Sequence, residues 1–229
     1  MNKKKKIKEV PTAEGYNRWA ANYESNANPL MALDEMKFVE NIDPIVKGEK
    51  IVDLGCGTGR FTIWLSRSGA EVTGVDFSEE MLKIAKGKSN NNIEYILHDL
   101  SKPFPFKTSS FDKVISTLVL EHIADLRLFF KEIKRICSRS GMIYISAMHP
   151  AMMLKGNQAN FTDPVTGDEI RPKGYPNQIA DFVVNINKAG LLIEDMKEYV
   201  CTKEFADKFP KAVKYLNWPI LLSFKLKTT

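Results

Sequence analysis

The sequence predicts an α/β protein built on an open, doubly wound sheet of about seven mostly parallel strands. Short apolar runs alternate with amphipathic helical stretches from about residue 45 to residue 147, and parallel strands joined by right-handed crossovers produce that rhythm. The first apolar run leads into a glycine-rich loop, "IVDLGCGTGR". After residue 150 the rhythm breaks into a stretch rich in Pro, Gly, Asn and Asp, which predicts a hairpin or lid inserted after the fifth strand, at 151–176.

Residues 12–44 precede the alternation and read as a helical cap in two pieces. The first puts Tyr16, Trp19, Ala20 and Tyr23 on one face at spacings of three and four. "SNANP" breaks it, and the second runs from about Leu30 to Ile42. "KIVDL" is the first strand of the alternation, and "GRFTIWLSRSG" a helix ended by Gly69. "EVTGVD" is the second strand. In the helix "SEEMLKIAKGK", Ser78 is the N-cap, and Glu79 and Glu80 suit the positive end of the helix dipole. "IEYIL" and "DKVISTLVL" supply the third and fourth strands across the proline-punctuated loop "PFPFKTSSF". "DLRLFFKEIKRICSRSG" reads as a helix with Leu126, Phe129, Phe130, Ile133 and Cys137 on one stripe, closed by Gly141, and "MIYISAM" as the fifth strand. A helix ended by Gly190 and two last strands, "LLIEDMKEYV" and "WPILLSFKLK", complete the chain, with a short helical stretch near "EFADKFPKAVKYL" between them.

Composition bounds the rest. The 229 residues are 44% hydrophobic and 27% charged, enough for one large domain over 12–229. No run approaches the roughly 18 apolar residues of a membrane span. "MNKKKKIKEV" has no apolar segment behind it, so it does not read as a secretory signal, and a cytoplasmic location is expected. Three scattered cysteines argue against a disulfide framework or structural zinc, and the three histidines show no metal-site spacing, so no metal is expected. Of the net charge of +5, residues 1–9 carry +4 through five lysines and one glutamate. Residues 1–11 therefore read as a disordered basic tail, and the body offers little for a nucleic-acid partner.

The glycine loop admits a dinucleotide, another nucleoside, or a tight core turn. A dinucleotide fingerprint needs glycine at position 60, which is Arg60; Gly59 comes one residue early. A phosphate-binding loop is excluded because no Gly-Lys-Ser/Thr follows.

"VDLGCGTG" resembles the first motif of the class I S-adenosylmethionine-dependent methyltransferases. "VTGVDFSEEML" resembles that family's second-strand motif, "ILHDL" its third-strand acid, "FDKVISTLVLEHI" its fourth-strand segment, and "LFFKEIKRICSRSGMIYIS" its following helix and fifth strand. The resemblance covers about residues 45–147, more loosely the helix with Trp19 and Tyr23, and is closest to the small-molecule branch that includes quinone and sterol methylases. It implies a Rossmann-like sheet with its last strand antiparallel, S-adenosyl-L-methionine as cofactor and S-adenosyl-L-homocysteine as product. It implies that backbone at Gly55, Cys56 and Gly57 lies against the donor's amino-acid part and ribose, and that Asp53 orients the ammonium end. Asp76, 21 residues after Gly55, would accept from both ribose hydroxyls. Phe77 and Met81 would flank the adenine, with Asp99 and the Leu100 amide reading its edge. Thr117 and Leu118 would border the methyl group. Trp19 and Tyr23 are either a lid on the cofactor or an amphipathic face packed on the sheet.

Methyl transfer from a sulfonium asks mainly for positioning and exclusion of water. A base is needed only where the acceptor must lose a proton. His149, in "SAMHPAM" just past the fifth strand, is the expected base or acceptor contact; the alternative is that it caps the strand end. His122 is expected to pack or hydrogen-bond locally. Tyr16, Tyr23, His149 and Tyr175 are the expected acceptor contacts, with Asn157, Gln158, Asn160, Phe161 and Arg171 nearby in sequence. The expected reaction is methylation of a small molecule at O, N or C. The alternatives are an RNA or protein methyltransferase, or a catalytically silent cofactor-binding protein. The sequence does not set the oligomeric state.

Overall fold

The structure is a computed structural model that describes residues 6–25, 28–89 and 92–228. The chain begins with strand β1 (Ile7–Val10), helix α1 (Thr12–Trp19), a 3-10 turn (Ala20–Asn22) and helix α2 (Pro29–Asn41). The alternating section is β2 (Lys50–Leu54), α3 (Arg60–Arg67), β3 (Glu71–Asp76), α4 (Glu79–Lys88), β4 (Glu94–Leu97), β5 (Phe111–Thr117), a 3-10 turn (Leu120–His122), α5 (Leu126–Ile136) and β6 (Cys137–Met148). Then follow α6 (Pro150–Leu154), β7 (Phe161–Thr162), β8 (Glu169–Pro172), α7 (Ile179–Lys188), β9 (Leu191–Val200), α8 (Lys203–Lys208), a 3-10 segment (Pro210–Tyr215) and β10 (Pro219–Thr228).

Seven strands form one sheet in the order β4-β3-β2-β5-β6-β10-β9. The strands β2 to β6 pair in parallel, and β10 runs antiparallel to both β6 and β9. The sheet is thus Rossmann-like with its last strand reversed. The chain order changes direction between β2 and β5, and that switch point opens a crevice beyond the carboxyl ends of the strands.

Both faces of the sheet are covered, which is why its strands read as apolar runs rather than alternations. Within β2, Val52 and Leu54 pack with Phe129, Phe130 and Ile133 of α5, while Ile51 packs with Phe38 of α2 and Phe61 and Leu65 of α3. Each such fully buried side chain contributes about 1.5–3 kcal/mol. The Ser78 hydroxyl accepts from the Met81 amide at 3.2 Å and caps α4.

Two expectations are corrected. The basic tail is not disordered up to residue 11: β1 pairs in parallel with β8, from Ile7 opposite Glu169 to Val10 opposite Pro172. The hairpin β7–β8 leaves an edge that β1 fills, and Lys8 pairs with Asp168 at 2.7 Å. Lys3, Lys4 and Lys5 lie outside the described residues. The helix α5 ends at Ile136 rather than at Gly141, which lies within β6. A Cβ at Gly141 would stand 2.7 Å from the Asp112 carbonyl, so close backbone approach between β5 and β6, not helix termination, requires glycine there.

Candidate functional site

The loop after β2 turns sharply. Gly55 has φ +81°, and its amide and that of Cys56 both donate to the Val75 carbonyl, at 2.7 and 2.9 Å. A Cβ on Gly55 would meet Val119 Cγ2 at 2.2 Å, so conformation and space both demand glycine. Gly57, with φ +53°, points its amide at Asp76 Oδ2, 2.8 Å away. The other oxygen of Asp76 accepts from the Ser78 amide at 2.9 Å. Asp76 therefore ties the first loop to the start of α4. Burial pushes its carboxyl up to about 6, against the pull of the amides of Ser78, Gly57 and Phe77.

These groups line a cavity of about 290 Å³. The loop contributes Gly55 and Gly57, the end of β3 Asp76 and Phe77, and the first turn of α4 Met81. Asp99 and Leu100 enter from the segment after β4, and Thr117 and Leu118 from the end of β5. Tyr16 and Tyr23 roof it from the cap, and Tyr175 reaches it from the segment after β8. Burial raises the Asp99 carboxyl, but the Ser101 amide at 2.9 Å, the Ser101 hydroxyl and the charge of Lys102 outweigh it and hold it below the ordinary value. Leu118 adopts φ +54°, a left-handed conformation costly for a branched side chain and one that marks functional turns.

The cap is fastened through His122. The Tyr16 hydroxyl donates to its Nε2 at 2.8 Å, and its Nδ1–H donates to the Lys173 carbonyl at 2.8 Å, an assignment that leaves every partner satisfied. Burial lowers His122 to about 4 and pushes Tyr16 well above the usual phenol value, so the pair is neutral at physiological pH.

A second cavity, of about 720 Å³, shares Tyr16, Tyr23 and Leu118 with the first. Met148 and Met152 form an apolar wall, Glu121 enters from the turn after β5, and Asn157, Gln158 and Asn160 come from the inserted segment. Lys211, Lys214 and Tyr215 close the far side.

Four expected site residues stand elsewhere. Trp19 borders the second cavity rather than the first, because Phe161 stacks on its indole at 5.2 Å. Asp53 does not line the cofactor-sized cavity; it is buried beneath the loop, where Oδ2 accepts from Thr62 Oγ1 at 2.6 Å, and burial raises it to about 6. Cys56 turns inward beneath the loop, where a Cβ on Gly74 would meet its Sγ at 3.0 Å, and burial drives its thiol well above the usual value. His149 lines neither cavity. Its Nδ1 accepts from the Ala151 amide at 3.1 Å as the N-cap of α6, and its Nε2 contacts Glu198 at 2.7 Å. Both of its ring nitrogens are engaged, one in capping α6 and one with Glu198, and neither is directed at a cavity. Conversely, Thr12, Val119 and His122 line the first cavity and Glu121 the second, unanticipated except that "LEHI" sets two polar residues into an apolar run.

The lining of the first cavity holds two carboxylates and no lysine or arginine, which suits a cationic ligand without phosphate. Among the described residues, no group of three or more His, Cys, Asp or Glu side chains is placed to hold a metal ion. A protein of Emericella nidulans, named as an uncharacterized methyltransferase, is 33% identical over 225 residues, covering 82% of this chain and 78% of that protein. The chain belongs to the class I S-adenosylmethionine-dependent methyltransferases. Residues 52–145 of this methyltransferase match a family model described as a methyltransferase domain. An S-adenosylmethionine-dependent methyltransferase from Mesorhizobium loti superposes with a TM-score of 0.72 at 25% identity, covering 86% of this chain and 99% of that one. A demethylmenaquinone methyltransferase of Staphylococcus aureus is 40% identical over 102 residues, 42% of each chain. The methyltransferase uses S-adenosyl-L-methionine and releases S-adenosyl-L-homocysteine. The first cavity fits such a donor: a Cβ on Gly57 would meet no protein atom within 4 Å, so the loop presents open space beside the Asp76 carboxylate. Among the described residues no helix is long and apolar enough to cross a membrane.

Proposed function

We propose that the methyltransferase acts on a small molecule, held in the second cavity against a cofactor held in the first. The observation that carries this reading is the junction of the two cavities at Tyr16, Tyr23 and Leu118. A volume of about 720 Å³ is within the range of small-ligand sites, and the apolar wall with a few polar groups is their usual composition.

In this reading Asp76 accepts from the ribose hydroxyls, Phe77 and Met81 hold the adenine, and Asp99 with the Leu100 amide reads its edge. Gly55 and Gly57 let backbone lie against the amino-acid end, and Thr117 and Leu118 face the junction. Bound there, the cofactor supplies an already activated methyl group on a sulfonium. The chain's contribution is alignment and exclusion of water, for which Tyr16 and Tyr23 form the cover.

The test is incubation with methyl-labelled S-adenosylmethionine and a metabolite extract, followed by mass spectrometry of the labelled products. A labelled compound of low molecular mass is expected. Label confined to RNA or protein would overturn the reading.

A further inference from the structure

Glu121 is an acidic side chain whose burial needs a reason. It sits in the 3-10 turn after β5, is only 9% exposed, and its Oε2 is shielded from solvent without a hydrogen-bond partner. A buried acceptor left unpaired carries the full cost of its lost hydration, so such atoms in a native fold ask for a ligand or a function. The residue lines the second cavity, with Leu118 at the junction three residues before it in the chain.

We propose that Glu121 receives the methyl acceptor, its carboxylate taking a hydrogen bond from the acceptor's O–H or N–H and then that proton as the methyl group is transferred. The inference rests on the second cavity being the acceptor site. In the step, the acceptor oxygen or nitrogen forms a bond to the methyl carbon while the carbon–sulfur bond breaks, its electron pair remaining on sulfur. The acceptor's proton passes to Glu121, which becomes a neutral carboxylic acid and later returns the proton to solvent. Charge is conserved, since one sulfonium and one carboxylate are consumed together. The substrate class follows: a hydroxyl or amine on a largely apolar body that lies along Met148, Met152 and Tyr215.

The surroundings suit a proton acceptor. Burial pushes Glu121 up to about 7; the charge of Asp34 on α2 adds to this, and the backbone amides of Glu121 and Met148 oppose it. Tyr16 and Tyr23 face it from the cap, both protonated at neutral pH, and Lys211 and Lys214 border the same cavity from the segment before β10. A base that titrates near neutrality is half-available as carboxylate and still strong enough to take a proton.

The test uses protein loaded with S-adenosyl-L-homocysteine and two probes of nearly equal shape, 4-butylphenol and 4-butylanisole, with binding followed by NMR. The phenol has the donor and the ether lacks it. At pH 8 wild type is expected to prefer the phenol about tenfold. Glu121→Met is expected to erase the preference while leaving affinity for 4-butylanisole and for S-adenosyl-L-homocysteine unchanged, which also shows the variant to be folded. Should Glu121→Met fail to fold, Glu121→Gln, which keeps the shape and loses the charge, is expected to reduce the preference at least severalfold. Equal binding of the two probes by wild type, or a preference that survives either substitution, would overturn the role of Glu121 and leave the cavity reading standing. If neither probe binds, the cavity reading fails and this inference with it.

Discussion

Arg60 donates to the buried carboxylate of Asp34 at 2.7 Å. Its other terminal nitrogen donates to the Met31 carbonyl at 2.7 Å, and Asp34 in turn accepts from Ser146 Oγ at 2.5 Å. One guanidinium thus joins α2 and α3, and through Asp34 both are bound to β6. Arg60 is the residue that stands where a dinucleotide loop has its third glycine. Arg60→Gly would restore that pattern, yet it would leave Asp34, with no measurable exposure, without its cation. Removing one partner of a buried pair costs about 3–5 kcal/mol. The expected outcome is a loss of that order in urea-melt stability with no gain of NAD binding. Stability within 1 kcal/mol of wild type would show the pair to be dispensable.

Asp76 holds the loop through Gly57, and in the proposed site it also meets the cofactor. Asp76→Ala is expected to weaken S-adenosyl-L-homocysteine binding by about 1–3 kcal/mol, because two hydroxyl donors lose a charged acceptor. The carboxylate is the form that accepts best, and in the free protein it gains a proton near pH 6. Affinity should therefore decline as pH falls below about 6, and the decline should be smaller in Asp76→Asn. Calorimetric titrations at several pH values check both, and an unchanged affinity in Asp76→Ala would remove Asp76 from the ribose.

Buried carboxyls also set the stability of the free protein. Asp53 and Asp76 are raised to about 6 and Glu121 to about 7, in each case chiefly by burial. A raised folded-state value means that the folded protein binds the proton more tightly than the unfolded chain. That stabilisation is complete below the unfolded value near 4 and is lost as pH rises through 6 to 7. The carboxyls that Arg or Lys partners and hydrogen bonds hold low, Asp99 and Glu132 among them, act oppositely and lose their contribution only as pH falls below about 4. Buried His122, lowered to about 4, works against this below its unfolded value of 6.5, but it is one group against three, so the melting temperature of the cofactor-free protein should still be highest near pH 5 and fall toward pH 8. Glu121→Gln should flatten the upper part of that fall. Scanning calorimetry from pH 4 to 8 decides it; a maximum at pH 8 would contradict the burial of these groups.

What could be read in the sequence and what could not divides by range. Ser78 as a cap, Gly69 as a helix end and the apolar runs of β2, β5 and β6 depend on neighbours in the chain, and the structure agrees with them. The family resemblance put Gly55, Gly57 and Asp76 at one site, and the structure brings them together because the loop after β2, helix α3 and strand β3 return the chain beside β2. Distant partners were invisible. Phe161 holds Trp19, Glu198 occupies His149, and Glu169 faces Ile7, each pairing a residue with one dozens of positions away or more. Glu121 shows the same limit: its composition is ordinary, and only the packing around it leaves an oxygen without a partner.

The first strand gives the last prediction. β1 is mostly exposed, so its loss removes little apolar area; what it supplies is backbone pairing along β8 and the ion pair between Lys8 and Asp168. An ion pair at that exposure is worth at most about 1 kcal/mol, so deleting residues 1–10 should leave the main sheet and its melting temperature nearly intact. The cap is another matter. α1 follows β1 after a single residue, and its Gly15 packs so closely on Pro172 at the end of β8 that a Cβ there would stand 2.7 Å from the proline ring. Without β1, α1 keeps that contact, the salt bridge from Arg18 to Asp163, the Tyr16–His122 bond, the bonds from Thr12 to the Lys173 carbonyl and from Ser78 to Asn17, and the stack of Trp19 on Phe161, but it loses the strand that anchors its N-terminal end. Hydrogen exchange over residues 12–22 should therefore quicken, and affinity for S-adenosyl-L-homocysteine should fall severalfold because Tyr16 and Tyr23 roof the first cavity, the proposed cofactor site. Unchanged exchange and unchanged affinity would mean that the remaining contacts of α1 seat the cap unaided and that β1 serves only to cover the edge of β8.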